Sequence, residues 1–152
     1  FADKVYTQKD MFFLGRGTDY CVALEGSLKL KEISYIHSEA YAGGELKHGP
    51  IALIEDGTKV ITLLTQEALK EKMVSNIVEI KARGAKVIGI CYEGTQGMEE
   101  VLDDIIYIPR TLDMFAPVLS VVVLQLLSYY IAKDRGCDID KPRNLAKSVT
   151  VE

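Results

Sequence analysis

Residues capable of acid–base chemistry are concentrated in one stretch, 25–50, which reads EGSLKLKEISYIHSEAYAGGELKHGP. At about 100° per residue, Glu25, Lys29 and Glu32 fall within an arc of roughly 60° on one face of a helix. His48 follows after a short β-favouring segment and a Gly-Gly pair. Carboxylates, a lysine and a histidine are groups that enzymes use to move protons. The same spacing is also typical of a solvated helix face with an i,i+4 pair worth about 0.2–0.5 kcal/mol.

The elements that must position these groups are indicated by alternating apolar runs and helical patterns. A helix that Thr18 or Asp19 could cap carries the charged face and ends near residues 34–35. His37, in the β-favouring segment 35–41, is predicted to be structural. Continuous apolar runs predict strands at 11–14, 60–64, 86–92 and 104–109, and helical spacing predicts helices at 67–83 and 115–133. This alternation predicts an α/β fold, a three-layer αβα sandwich around a parallel sheet of about five strands.

Composition limits the classes of function. The 152 residues are 48% hydrophobic and 26% charged, which indicates one globular domain, and the net charge of −4 argues against nucleic-acid binding. Three widely spaced cysteines without a CxxC pair favour a reducing compartment, and we predict a cytoplasmic protein with no metal site. The chain starts at Phe1 rather than Met, so we expect it to be a piece of a longer protein.

Residues 114–132 carry no charge and approach the length of a membrane span. Polar residues and a proline interrupt this run, and Asp113 and Lys133 flank it closely. We therefore predict a buried helix, at the centre of a globular protein or at a subunit interface, and no membrane segment.

Two loops invite a phosphate-binding interpretation. Gly15-Arg16-Gly17 lacks the third glycine of a GxGxxG motif, and Asp19 adds a negative charge at the start of the following helix. The loop after the second apolar strand, Thr65-Gln66-Glu67, again contains an acid. Both loops are predicted to be ordinary turns with capping acids rather than phosphate sites.

Two blocks of sequence resemble a known enzyme family. They are RGTDYCVALEGSLKLKEISYIHSEAYAGGELKHGP at 16–50 and DIDKPRNLAKSVTVE at 138–152. Both are similar to the C-terminal end of glutamine–fructose-6-phosphate aminotransferases, which convert fructose 6-phosphate and glutamine to glucosamine 6-phosphate and glutamate without a cofactor. The resemblance implies the second of two sugar-isomerase (SIS) domains, of flavodoxin-like fold. It divides the chain into the end of a linker or leading helix at 1–10, an SIS domain at 11–141 and a C-terminal active-site tail at 142–152.

The resemblance also implies roles for individual residues. Lys147 matches the lysine that forms a Schiff base with the sugar, Glu32 the base that moves a proton between C1 and C2, and His48 the ring-opening histidine that reaches a neighbouring subunit. Glu25 and Lys29 match supporting groups. Because an ordinary lysine has a pKa of about 10.4, Lys147 must be perturbed by burial or by a nearby cation before it can attack a carbonyl.

The same resemblance implies the partners and the alternatives. The partners are a sugar phosphate, upstream SIS and glutamine-amidotransferase domains of the same protein, and a second subunit in a homodimer. We expect the chain alone to be inactive, because the phosphate-binding loops of the family belong to the first SIS domain. The alternatives are a non-catalytic phosphosugar-binding SIS module, a related deglycase or isomerase, and a pure dimerisation module.

Overall fold

The computed structural model of the chain describes residues 2–144. Its centre is a five-stranded sheet with the order β2-β1-β3-β4-β5, and every neighbouring pair of strands is parallel. The strands are β1 Asp10–Gly15, β2 His37–Ala42, β3 Lys59–Leu63, β4 Lys86–Tyr92 and β5 Asp104–Ile108. The parallel sheet of five strands is confirmed, and its order is that of flavodoxin-like folds.

Three α-helices cover the sheet: α1 Thr18–Ser34, α2 Lys70–Lys81 and α3 Ala116–Asp134. Helices α1 and α3 contribute to one hydrophobic cluster, and α2 contributes to a second. The two clusters lie on opposite faces of the sheet, so the three-layer arrangement is confirmed. The helix predicted at 67–83 begins as a separate 3-10 turn, Glu67–Leu69, before α2 starts.

The central strands are apolar without interruption because both of their faces are covered. In β1, Met11 and Phe13 join the cluster on the α1–α3 face, whereas Phe12 and Leu14 join the cluster on the α2 face. All four side chains are buried, at 0–6% exposure. The strand thus holds the two helical layers together and fixes where α1 begins.

The first residues of the chain pack against the domain. Ala2 and Val5 are buried in the cluster on the α1–α3 face, and Lys4 Nζ lies 2.9 Å from Asp104 Oδ1 in β5. After α3, Arg135 donates hydrogen bonds to the backbone oxygens of Tyr6 and Gln8. The N-terminal segment is therefore tied to β5 and to the end of α3.

Helix α3 lies in an outer layer and not at the centre of the domain. One of its faces packs on α1 and the sheet, while large apolar side chains on its other face are 42–61% exposed: Val118, Val122, Leu126, Tyr129 and Tyr130. Among residues 2–144, the stretch Asp113–Asp134 is the one with the length and mean hydropathy of a membrane span, and 33% of its apolar window is buried. A core helix meets the same criteria, so this is weak evidence for a membrane segment.

Candidate active site

The charged face predicted for α1 is present. Lys29 Nζ lies 2.6 Å from Glu32 Oε2 and 3.7 Å from Glu25 Oε1, so one ammonium bridges two carboxylates on successive turns. The side chains of Glu32, Lys29 and Glu25 are 25%, 32% and 40% exposed, respectively. The cluster is thus half-buried, with Glu32 held more closely and more protected from solvent than Glu25.

The two carboxylates of the cluster keep Lys29 positively charged. The hydrogen bond with Glu32 is the largest influence and raises the pKa of Lys29, and the two carboxylates add to it against the opposing effect of desolvation. Lys29 is therefore a cation at neutral pH. It is suited to orienting Glu32 and unsuited to act as a neutral amine nucleophile.

The opposite face of α1 explains why the cluster is rigidly placed. Leu30 and Ala23 are fully buried in the cluster shared with α3. At Gly26, an added Cβ would lie 2.5 Å from Leu124 Cδ1, so a side chain at this position would clash with α3. This close approach of two helices leaves α1 little freedom to shift, so the Glu25–Lys29–Glu32 cluster is held at a fixed place beside the sheet.

His48 does not join the Glu25–Lys29–Glu32 cluster within one chain. It ends the 3-10 turn Leu46–His48, and Leu46 is fully buried in the hydrophobic cluster on the α2 face of the sheet. The charged helix α1 packs on the other face. His48 itself is exposed. The sequence places the histidine 16 positions after Glu32, but β2 separates the two residues into different layers.

His37 lies at the start of β2 and is exposed. Its Nδ1 is 3.0 Å from Asp10 Oδ1 at the start of the neighbouring strand β1. This contact joins the ends of two paired strands, as expected for a structural histidine.

The prediction that Thr18 or Asp19 caps α1 is wrong. The N-cap residue is Gly17, at φ 59°, and no side chain caps the helix. Asp19 is instead buried and accepts hydrogen bonds from Thr65, from the backbone N at 2.8 Å and from the hydroxyl at 2.5 Å. Burial raises the pKa of Asp19, and the hydrogen bonds from Thr65 oppose this shift. The two loops considered as phosphate sites are therefore bonded to each other.

Arg16 in the first loop also has an internal partner. Its Nε and Nη2 donate to Asn76 Oδ1 of α2 at 3.0 and 2.8 Å. Its guanidinium also lies against Gly43 and Gly44, where an added Cβ would approach it to 3.2–3.4 Å. The cation of this loop serves to join α2 to the turn after β2.

Of the predicted site residues, Lys147 lies outside residues 2–144, the part of the chain that the structure describes. The chain that leads towards it is described, and one contact there was not anticipated from the sequence. The hydroxyl of Tyr35 accepts a hydrogen bond from the backbone N of Arg143 at 2.9 Å. A tyrosine just after a helix gives no sequence signal of such a role.

The chain is similar to known proteins in both sequence and fold. The sequence profile of the SIS domain matches residues 4–132. A glutamine–fructose-6-phosphate aminotransferase [isomerizing] of Clostridium tetani is 70% identical over 151 residues, which cover 99% of this chain and 25% of that protein. The chain thus spans about a quarter of the length of the curated relatives it matches.

Solved structures agree with the sequence comparison. The C-terminal domain of glucosamine-fructose-6-phosphate aminotransferase from Francisella tularensis superposes with a TM-score of 0.85 at 41% identity, over 93% of this chain and 40% of that chain. A structure described as glucosamine-6-phosphate deaminase from Thermotoga maritima has a TM-score of 0.76 at 32% identity, over 97% of this chain and 43% of that chain. From the fold, the matching profile and these likenesses, the chain belongs to the SIS domain family.

Proposed function

We propose that this chain is the second sugar-isomerase domain of a glutamine–fructose-6-phosphate aminotransferase. The whole protein would convert fructose 6-phosphate and glutamine to glucosamine 6-phosphate and glutamate. The proposal is carried by the 70% identity, over 99% of the chain, to the Clostridium tetani protein of that name. The half-buried Glu25–Lys29–Glu32 cluster supports it, because isomerisation needs a positioned carboxylate. The same proposal divides the chain into a linker or leading helix at 1–10, the SIS domain at 11–141 and the active-site tail at 142–152.

In this proposal Glu32 is the base of the isomerisation. Its carboxylate takes a proton from C1 of the imine formed at C2 and delivers it to C2, and the ammonium of Lys29 at 2.6 Å holds the carboxylate in place. Lys147 forms the first imine. Its Nζ attacks C2 of the open-chain sugar, and loss of one water molecule leaves a C=N bond. Ammonia released from glutamine then replaces the lysine at C2, which frees Nζ, and Glu32 acts on the imine so formed while the C1 hydroxyl proton passes to its nitrogen and C1 becomes the aldehyde. Lys29 is a poor candidate for the attack on C2 because its ion pairs keep it protonated.

The position of His48, on the face of the sheet opposite α1, favours a homodimer. His48 lies on the far side of the sheet from α1 of its own chain. A histidine that opens the sugar ring must reach the site that contains Glu32, and a second subunit provides the simplest route. Cytoplasmic localisation is part of the proposal, in keeping with three cysteines that are all free.

We propose that the chain alone makes no glucosamine 6-phosphate. One cation and one donor of its two candidate phosphate loops are already engaged, Arg16 by Asn76 and Thr65 by Asp19. A sugar phosphate would therefore gain little affinity from this edge of the sheet. The upstream domains of the same polypeptide are proposed to provide phosphate binding and glutamine hydrolysis.

The test is reductive trapping of the Schiff base in the full-length protein. Borohydride delivers a hydride to the imine carbon, and solvent protonates the nitrogen, so the sugar becomes permanently attached to the lysine. With fructose 6-phosphate we expect the adduct on Lys147 by peptide mass mapping, and we expect it to be lost in Lys147→Ala. Lys141→Ala, in the same terminal segment, is the matched control and should label normally. An adduct on another lysine, or an adduct that survives in Lys147→Ala, would refute the assignment.

A further inference from the structure

The outer face of α3 is apolar over most of the length of the helix. We use this name for four side chains that are 42–61% exposed, Val118, Val122, Leu126 and Tyr129. At about 100° and 1.5 Å per residue, they fall within an arc of roughly 80° and extend over about 16 Å of the helix axis. Exposed apolar side chains that lie together in this way mark an interaction surface, whereas single ones are common on any protein.

An apolar groove lies on each side of this face. One groove, of about 410 Å³, lies between α3 and the N-terminal segment, and its lining includes Leu126 and Ala2. The other groove, of about 390 Å³, lies between α3 and α1, and its lining includes Val118 and Glu25. A partner that packs along the outer face of α3 can therefore fill a groove on either side of the helix.

The first groove lies where the polypeptide enters the domain. Ala2 lines this groove, and Ala2 and Val5 are buried in the hydrophobic cluster that α3 also joins. Residues that precede this point therefore emerge beside the outer face of α3. A domain tethered here is presented to that face at a high effective concentration, an advantage that a second copy in solution lacks.

The comparisons leave room for such a domain. The chain covers 25% of the Clostridium tetani protein and 40% of the C-terminal domain from Francisella tularensis. More than half of that C-terminal domain thus lies outside the matched part. Residues 114–132 carry no charge, so the partner of α3 must be recognised through apolar contacts.

The second groove leads to the charged cluster. Glu25 lines the groove, and its Oε1 lies 3.7 Å from Lys29 Nζ. The three side chains of the Glu25–Lys29–Glu32 cluster are 25–40% exposed in this domain. A domain packed on α3 would cover this side of the cluster and exclude water from it, which strengthens the electrostatic interactions there.

We propose that the outer face of α3 is the docking surface for the upstream domain of the same polypeptide. This inference rests on the proposed function, because that function places further domains before residue 1. The docked domain presents an apolar face to α3 and lies beside the Glu25–Lys29–Glu32 cluster. It thereby brings the phosphate-binding groups proposed for the upstream part of the protein to the carboxylates of α1.

Photocrosslinking in the full-length protein tests which partner covers the outer face of α3. Tyr129 is replaced with the photoreactive residue p-benzoylphenylalanine, which on illumination bonds to C–H groups in contact with it. The matched control is the same replacement at Tyr107, which is also 42% exposed. Its neighbour Ile106 packs in the cluster on the α1–α3 face, so Tyr107 lies on the opposite face of the sheet. We expect a crosslink within one polypeptide from position 129 to a peptide that precedes residue 1, and no such crosslink from position 107.

A charge on the same face gives a functional readout. Val122→Glu would place a carboxylate in the proposed apolar interface, so we expect kcat/KM for fructose 6-phosphate to fall at least about tenfold in the full-length protein. The domain itself should tolerate the change, because Val122 is 48% exposed within it. Val78→Glu is the matched control. Val78 is 54% exposed on α2, in the opposite layer, and its replacement should leave kcat/KM unchanged.

The outcomes distinguish the possible occupants. A crosslink from position 129 to the upstream domain, together with impaired Val122→Glu and normal Val78→Glu, supports the proposal. A crosslink that joins α3 of two polypeptides would assign the face to a second copy and overturn it. The absence of a protein crosslink from position 129, as for a face that is free or packed on lipid, would overturn it too, and so would equal activity of the two valine variants. If the wild-type protein makes no glucosamine 6-phosphate, the proposed function fails, whereas the crosslink still decides whether the upstream domain docks on α3.

Discussion

Replacing Glu32 with glutamine is the most direct test of the charged cluster. The amide oxygen of the glutamine can still accept the hydrogen bond that Lys29 Nζ now makes at 2.6 Å. The proposed proton transfer, in contrast, requires a carboxylate. Because a positioned general base contributes about 10²–10⁴ in rate, we expect Glu32→Gln to lower kcat for the isomerisation by that factor. This corresponds to about 2.7–5.5 kcal/mol of barrier.

The same variant should fold normally. The Lys29–Glu32 pair is 25–32% exposed, so its contribution is screened and amounts to at most about 1 kcal/mol. The buried face of α1, with Leu30 and Gly26 against α3, is untouched. We therefore expect the free energy of unfolding of Glu32→Gln to fall by less than about 1 kcal/mol. Loss of activity would then report on chemistry rather than on folding.

Glu25→Gln is a matched control, because Glu25 lies on the same helix and faces the same ammonium. Glu25 is farther from Lys29, at 3.7 Å, and more exposed, at 40%. We expect its kcat to fall less than tenfold. The assay is glucosamine 6-phosphate formation by the full-length protein, with exchange of solvent deuterium into the sugar as a measure of the proton transfer. The reasoning is refuted if Glu32→Gln keeps more than half of the exchange rate, or if Glu25→Gln is equally impaired.

Two further predictions concern the turn that starts α1. Gly15→Ala should destabilise the fold by about 3 kcal/mol or more in urea denaturation, because its Cβ would lie 2.4–2.5 Å from backbone atoms of Asp19 and Tyr20. A loss of stability below about 1 kcal/mol would contradict this geometry of the turn. Asp19 has a raised pKa, so its contribution to stability is complete below about pH 4 and declines as the pH rises through the folded pKa. Asp19→Asn lacks this decline, so its free energy of unfolding should rise relative to that of the wild-type protein from about pH 4 to about pH 7. A difference in stability that stays constant over this range would exclude a raised pKa of Asp19.

Much of the local structure follows from the sequence. The apolar run at 86–92 coincides with β4, and the spacing of Glu25, Lys29 and Glu32 places them together on α1. Both patterns lie within one element, a continuous apolar run for a strand that is covered on both faces or a repeat of about 3.6 residues for a helix, and both are visible in the order of residue types. Strand order 2-1-3-4-5 also agrees with the predicted flavodoxin-like class.

The main prediction that failed concerns a contact between two elements. Asp19 has the residue type and position of a helix cap, yet its carboxylate bonds Thr65, 46 positions away. Nothing local in the sequence reveals that the loops after β1 and β3 meet, because this depends on the two strands being neighbours in the sheet. The helix at 67–83 likewise begins later than its pattern suggests, after a 3-10 turn.

By itself, the sequence determined the class of fold, the charged helix face and the likeness to a family of sugar-phosphate enzymes. Only the tertiary structure decided which groups meet. It places His48 across the sheet from Glu32, and it brings Arg143 back to Tyr35 over 108 positions of sequence. The physical reason is that a residue pattern arises from the backbone geometry of one element, whereas a site is assembled from the ends of several elements whose meeting is fixed by the packing of the whole sheet.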